Sequence, residues 1–223
     1  MSWRQPYSGY LFDLDGTLID TAPDLNRALN HTLSLLQLAP VDEAMTRHWV
    51  GHGARVMIEQ ALAFHNLQPD SVGLGMDRLW QEFLDYYHAH IADFSRPYPG
   101  VVETLHQLQR NGAVLAVVTN KHADLSRTLL TELDLLHHFH TLVGGDTCTR
   151  PKPHPEPIWH CLEQIGLTAQ QVLFVGDSAT DVNAAKAADT RVVCMRDGYN
   201  HGIDPTTLGA DEVIDNFKEL LCE

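Results

Sequence analysis

Short runs of apolar, β-branched and aromatic residues recur along this chain. Each is followed by a turn and then by apolar positions at helical spacing. The runs are Tyr10-Leu11-Phe12, 113–118, 141–144, 172–175 and Arg191–Met195, with a shorter one at Glu212-Val213-Ile214. Runs that are apolar at successive positions are buried on both faces, and strands that alternate with helices build a parallel sheet covered on both sides. The pattern predicts an α/β fold with a doubly wound parallel sheet, whose ligands sit beyond the carboxyl ends of the strands.

One stretch interrupts the alternation. Between about Asp20 and Pro99 the spacing predicts helices and no strand. Thr21-Ala22-Pro23 opens the first helix, with Pro23 suited to a first helical position. Leu25, Ala28, Leu29, Thr32, Leu33 and Leu36 then follow a 3.6-residue period. Met76, Leu79, Trp80, Phe83, Leu84, Tyr87 and Ile91 mark a later helix, and Phe94-Ser95-Arg96-Pro97-Tyr98-Pro99-Gly100 returns the chain to the sheet. Residues 1–20 and 96–223 are therefore expected to form the α/β core. Residues 21–95 are expected to form an all-helical cap inserted after the first strand, hanging over the strand ends where a lid belongs.

Composition narrows the partners. The 223 residues, 44% hydrophobic and 20% charged, suit a globular chain with enough core to fold unaided. A net charge of -14 argues against a nucleic-acid partner, because phosphate backbones are met by Lys and Arg. The same acidity suits a divalent-cation site, and equally serves solubility. Met1-Ser2-Trp3-Arg4-Gln5-Pro6 has no apolar signal region and no run reaches membrane-spanning length, so a cytoplasmic protein without a membrane partner is expected. Cys148, Cys161, Cys194 and Cys222 match no zinc or redox spacing and read as reduced thiols. His137-His138-Phe139-His140 has no further ligands at zinc spacing and reads as a solvated helix end. Monomer and homodimer both remain open.

The chemistry gathers where strands end. Phe12-Asp13-Leu14-Asp15-Gly16-Thr17 closes the first strand. Residues two apart in an extended chain point the same way, so Asp13 and Asp15 are expected to face one space. Two such carboxylates repel unless a cation intervenes, and magnesium favours carboxylate oxygens together with water and phosphate. Gly16 lets the chain turn away. The second strand ends in Val117-Val118-Thr119-Asn120-Lys121, where a hydroxyl and fresh backbone N–H groups form an anion site; Thr119 serves equally well as a helix N-cap. Lys152, held between Pro151 and Pro153, is a candidate phosphate contact. Gly176-Asp177-Ser178-Ala179-Thr180-Asp181 supplies a further metal ligand in Asp177, and Asp181 either orients it or caps the next helix.

A nucleophile, an acid/base, a hydroxyl, a cation and metal ligands thus converge, a set suited to phosphoryl transfer. At Asp13-Leu14-Asp15-Gly16-Thr17, Thr119, Lys152 and Gly176-Asp177 with Asp181, the chain resembles the haloacid dehalogenase superfamily over essentially its whole length. The resemblance implies a Rossmann-like core with a small helical cap. It implies Asp13 as the nucleophile forming an aspartyl-phosphate, and Asp15 as acid and then base. Thr119, Asn120 and Lys152 would hold phosphoryl oxygens. Magnesium would bind Asp13, the backbone carbonyl of Asp15, and Asp177.

Trp49-Val50-Gly51-His52-Gly53-Ala54, Lys152-Pro153-His154-Pro155 and Asp197-Gly198-Tyr199-Asn200 are similar to segments of the bacterial phosphoglycolate phosphatase group. That likeness implies 2-phosphoglycolate as a small-molecule substrate, although His52 stands where most of that group carries asparagine. A neighbouring group that acts on N-acetylmuramic acid 6-phosphate shares nearly the same motifs and gives the alternative. In the cap, Gly51, His52, Gly53 and Arg55 are candidates for reading the substrate's carboxylate, or equally form a simple break between helices with Arg55 in solvent. A dehalogenase would need neither Asp15 nor Asp177. A phosphomutase would keep the aspartyl-phosphate alive for a returning sugar, and a catalytically silent binding protein on this fold would not need every catalytic position filled.

Overall fold

The computed structural model describes residues 3, 5–51, 53–71 and 73–221. The chain enters through β1 (Gly9–Phe12) and makes a two-residue strand, β2 (Ile19–Asp20). Four helices follow: α1 (Ala22–Ser34), α2 (Glu43–Trp49), α3 (Ala54–Phe64) and α4 (Met76–Ala89). β3 (Arg96–Pro97) then leads into α5 (Val101–Arg110), β4 (Val114–Val118), α6 (Ala123–Glu132) and β5 (Thr141–Val143). The remainder is α7 (Glu156–Ile165), β6 (Val172–Gly176), α8 (Ala179–Ala187), β7 (Arg191–Met195) and β8 (Glu212–Ile214).

Six strands form one parallel sheet in the order β5-β4-β1-β6-β7-β8. Each differs from the expected run by no more than a residue at either end. Successive strand residues serve opposite faces. Tyr10 and Phe12 pack with Val117 and Val175 on the side of α5 and the cap, while Leu11 packs with Ala116, Val118 and Phe174 against Ile158 and Cys161 of α7 and Val182 of α8. Both faces are covered, which is why the strands read as unbroken apolar runs. In register, Phe12 pairs with Val117 on one side and Val175 on the other. The exits of β1, β4 and β6 are therefore level, and whatever follows them meets at one edge.

The helical insertion follows β1 as expected, and a two-stranded ribbon that the sequence pattern does not show closes its base. β2 and β3 pair antiparallel, Ile19 with Pro97 and Asp20 with Arg96. Two residues are too few to show an apolar run, so the periodicity does not reveal them. Just inside this ribbon, the buried Asp24 carboxylate accepts hydrogen bonds from the backbone N–H of Phe94 and Ser95 and from the Ser95 hydroxyl. The two ends of the insertion are thereby clasped together.

The histidine cluster departs from expectation. His137 and His140 are exposed, but His138 is buried in a turn of 3-10 helix, Leu136–His138. Its Nδ1 lies 2.6 Å from Gln109 Oε1, and Gln109 Nε2 donates to its carbonyl. Burial, reinforced by His137 and His106, pulls the imidazole down to about 4, so it is a neutral packing group. Nothing in the local pattern announces this, because its partners lie on α5.

Candidate active site

Beyond the exit of β1, the Asp13 carboxylate sits 2.9 Å from Lys152 Nζ. That ammonium also donates to the Val118 carbonyl at 2.8 Å and to Asp181 Oδ1 at 2.6 Å. Two hydrogen bonds and the ion pair with Asp13 thus hold the ammonium within the core. Burial alone would pull the lysine's pKa down, but Asp13 and Asp181 outweigh it and hold the pKa above the usual value. Asp181 caps α8 and accepts from the backbone N–H of Asp177, and it also holds Lys152, a role the sequence does not announce. Its Oδ2 accepts from Ser178 N and Oγ as the capping box of α8, while its Oδ1 fixes Lys152.

Asp177, at the exit of β6, accepts from the Thr17 hydroxyl at 2.8 Å and from the backbone N–H of Tyr199. Gly16, at φ +84°, and Gly198 both press against it, and a methyl group on either would overlap the Asp177 side chain. Asp13, Asp177 and Asp181 each offer a carboxylate oxygen within 4.8 Å of one another. Burial pushes Asp13 up to about 6, with Lys152 opposing and Asp181 adding. Burial, Asp181 and Asp13 hold Asp177 well above the usual carboxylate range. Crowded, buried, all-oxygen carboxylates that resist ionisation fit a hard divalent cation, which would relieve their repulsion.

The Asp15 carboxylate is not in this cluster; of Asp15, only the backbone carbonyl remains as the expected metal contact. The side chain turns to Lys121, whose Nζ lies 2.9 Å from Oδ1 and 3.2 Å from Oδ2. The same ammonium donates to the Tyr87 hydroxyl of cap helix α4 at 2.7 Å and rests 4.5 Å from the ring centre. Both side chains are buried. Burial pushes the Tyr87 phenol up to about 12; burial opposes the Lys121 charge, but Asp15 and Tyr87 outweigh it and raise its pKa. Sequence alone assigns neither residue a role. Lys121 carried a signal, a cation two places after Thr119, whereas Tyr87 was indistinguishable from the apolar face of its helix.

Thr119 is buried at the site and is not an N-cap, since α6 is capped at His122. Asn120 donates its amide to the Lys152 carbonyl at 2.9 Å and to the Gly51 carbonyl of the cap at 3.4 Å. Its side chain therefore joins the core loop to the cap. Gly51 and Gly53 line the same cavity, with φ of +116° and +90°. His52 lies outside the described residues. Arg55 also borders the cavity, but its guanidinium is half exposed and pairs with Asp77 at 2.9 Å and Glu59 at 3.9 Å. The cavity, about 320 Å³, is polar at the strand ends and walled on the cap side by Leu25, Val50, Met57, Trp80, Phe83 and Leu84.

Tyr199 fastens the base of the cap to the site. Its hydroxyl accepts from the N–H groups of Thr21 and Ala22 and donates to Asp20 Oδ1. Arg47 of α2 also reaches Asp20, at 2.8 Å, and lies over the Tyr199 ring.

Comparison with known proteins agrees with this geometry. Residues 10–195 match the family of haloacid dehalogenase-like hydrolases. A phosphoglycolate phosphatase of Mesorhizobium japonicum is 46% identical over 190 residues, covering 85% of this chain and 82% of that one. One from Colwellia psychrerythraea is 42% identical and covers 95% and 94% of the two chains. The crystal structure of a predicted phosphoglycolate phosphatase from Haemophilus somnus superposes with a TM-score of 0.90 at 33% identity, covering 97% of each chain. The chain belongs to the haloacid dehalogenase-like hydrolases. Within that family it is a phosphatase, with an oxygen-lined acidic site at the strand ends and a helical cap above it.

Proposed function

We propose that this enzyme hydrolyses 2-phosphoglycolate to glycolate and phosphate through an aspartyl-phosphate on Asp13. The observation that carries the chemistry is the Asp13–Lys152–Asp181 triad beside Asp177. It presents a carboxylate oxygen to phosphorus and a fixed cation to the phosphoryl oxygens. The substrate follows from likeness to phosphoglycolate phosphatases at 38–46% identity over most of the chain.

Asp13 attacks phosphorus and the ester oxygen departs, taking a proton from Asp15. Asp15 then accepts a proton from the water that cleaves the aspartyl-phosphate, so one difficult displacement becomes two. Thr119, the backbone N–H of Asn120 and Lys152 orient the phosphoryl oxygens. Magnesium is the expected cation; Asp13, Asp177 and the Asp15 carbonyl would hold it, and it would supply positive charge against two mutually repelling anions. Asp181 positions Lys152 without touching substrate. We assign residues 1–20 and 96–223 to the core and 21–95 to the cap, with the β2–β3 ribbon at the boundary. Among the described residues Cys148, Cys161 and Cys194 are free thiols, and no helix is long and apolar enough to cross a membrane. Both support a cytoplasmic setting.

A second reading is a sugar phosphatase acting on N-acetylmuramic acid 6-phosphate. The cavity, at about 320 Å³ with an apolar cap wall, has more room than a two-carbon acid fills. Measuring kcat/KM on 2-phosphoglycolate, N-acetylmuramic acid 6-phosphate and β-glucose 1-phosphate separates the two. A clear preference for either sugar phosphate overturns the first reading.

A further inference from the structure

We infer that Lys121, held between Asp15 and the cap residue Tyr87, is the binding site for the substrate's carboxylate. This rests on the substrate reading above and names the residue that enforces it.

A phosphorylated hydroxy acid brings two anionic ends into a cavity already lined by Asp13, Asp15 and Asp177. The phosphoryl end meets Lys152. The carboxylate needs its own cation, because leaving an anion unpaired in a partly buried acidic cavity is costly. Among the described residues, four cationic or titratable nitrogen side chains border the cavity: Lys152, Lys121, Arg55 and His122. Lys152 is held entirely by the core, hydrogen-bonded to Asp181 and the Val118 carbonyl and ion-paired with Asp13, the residue that faces the phosphoryl group. Arg55 is half exposed and bound to Asp77 and Glu59, and His122 is exposed beside Asp146.

Lys121 differs from all of them. Its ammonium is buried, with 6% of the side chain accessible, and among the described residues its polar side-chain partners are Asp15 and Tyr87. Asp15 engages it through both carboxylate oxygens and Tyr87 through its hydroxyl, so a donor comes free for a ligand when one of the two Asp15 contacts is given up. Its position suits the task. Asp15 serves the departing ester oxygen, and Lys121 touches Asp15 at 2.9 Å on the side facing the cap. In 2-phosphoglycolate the carboxylate lies one methylene beyond that oxygen, so a group within reach of Asp15 is within reach of Lys121. Tyr87 comes from α4, so the subsite is complete only when the cap is seated on the core. An ester without the carboxylate gains nothing from it.

The test compares kcat/KM for 2-phosphoglycolate and ethyl phosphate, which share a two-carbon skeleton and differ in the carboxylate. Wild-type enzyme, Lys121→Met and Tyr87→Phe are assayed with magnesium present. The wild type is expected to favour 2-phosphoglycolate, and Lys121→Met to reduce that preference by roughly 30-fold or more, mainly through KM. Tyr87→Phe conserves side-chain volume and the fold, and is expected to reduce the preference by about 3- to 10-fold through a loosened ammonium. If both variants lose activity on the two esters by the same factor, or keep the wild-type preference, the carboxylate is not read by Lys121 and this inference is overturned. A wild type with no preference for 2-phosphoglycolate overturns the substrate reading itself, before any variant is considered.

Discussion

Lys152 and Lys121 are both buried cations at the strand ends, and each is held by an aspartate from the segment that leaves β1. Lys152 is gripped by Asp13, Asp181 and the Val118 carbonyl, all from the core. Lys121 is gripped by Asp15 from the core and Tyr87 from the cap. The first arrangement is independent of where the cap sits; the second is not. The difference separates what all phosphate esters share, a phosphoryl group to be attacked, from what distinguishes them, the group that departs. The invariant part of the reaction rests on the rigid body, and the variable part is read where two bodies meet.

The comparison breaks most sharply at Asp13. Asp13→Asn is expected to lower kcat by more than roughly a thousandfold, because an amide is a far poorer nucleophile, while circular dichroism shows the fold intact. Retention of most of the wild-type kcat would remove the covalent route.

Next come the lysines. Lys152→Met leaves Asp13 and Asp181 buried without their cation and is expected to cost about 3–5 kcal/mol in urea unfolding. Lys121→Met strands one partly accessible carboxylate and is expected to cost less. Equal losses would mean that the two sites are not built differently after all.

Magnesium should distinguish the sites without any substitution. Chelation is expected to abolish turnover. Magnesium at about 100 times its Kd should raise stability by about 2.7 kcal/mol, visible as a higher Tm. Asp177→Asn is expected to shrink that rise, and Lys121→Met to leave it. Full activity in metal-free buffer would return the dehalogenase alternative.

The smallest effect is expected at Arg55. Its head is engaged by Asp77 and Glu59, so Arg55→Ala should change kcat/KM for 2-phosphoglycolate by no more than about 3-fold. A loss larger than that of Lys121→Met would move the carboxylate subsite into the cap.

Much of this was legible in the chain because burial on both faces leaves an uninterrupted apolar run. The core strands could be read to within a residue, and the residues following them, Asp13, Thr119, Lys152 and Asp177, could be marked as site candidates. What resisted reading has a common cause. β2 and β3 are defined by pairing across the whole insertion, His138 by Gln109 on another helix, and the Lys121–Tyr87 contact by two elements 34 positions apart. Tyr87 in particular sits at an apolar helix position, where a ring looks like packing and its hydroxyl has no sequence signature. Asp181 is readable as a helix cap, but its grip on Lys152, 29 positions away, is not.

The strand order has a consequence for how the enzyme comes into being. β1 lies in the middle of the sheet, flanked by β4 and β6. Asp13 is therefore made well before its setting is complete: Thr17 beside it must wait for Asp177, 160 positions downstream. Contacts of such long sequence separation form slowly. A growing chain that has already made its cap holds β1 as an unpaired apolar strand, the kind of edge that chaperones shield and that seeds aggregation. The site is assembled only once β6 has formed, so a chain interrupted before β6 has Asp13 and lacks Asp177 and Asp181.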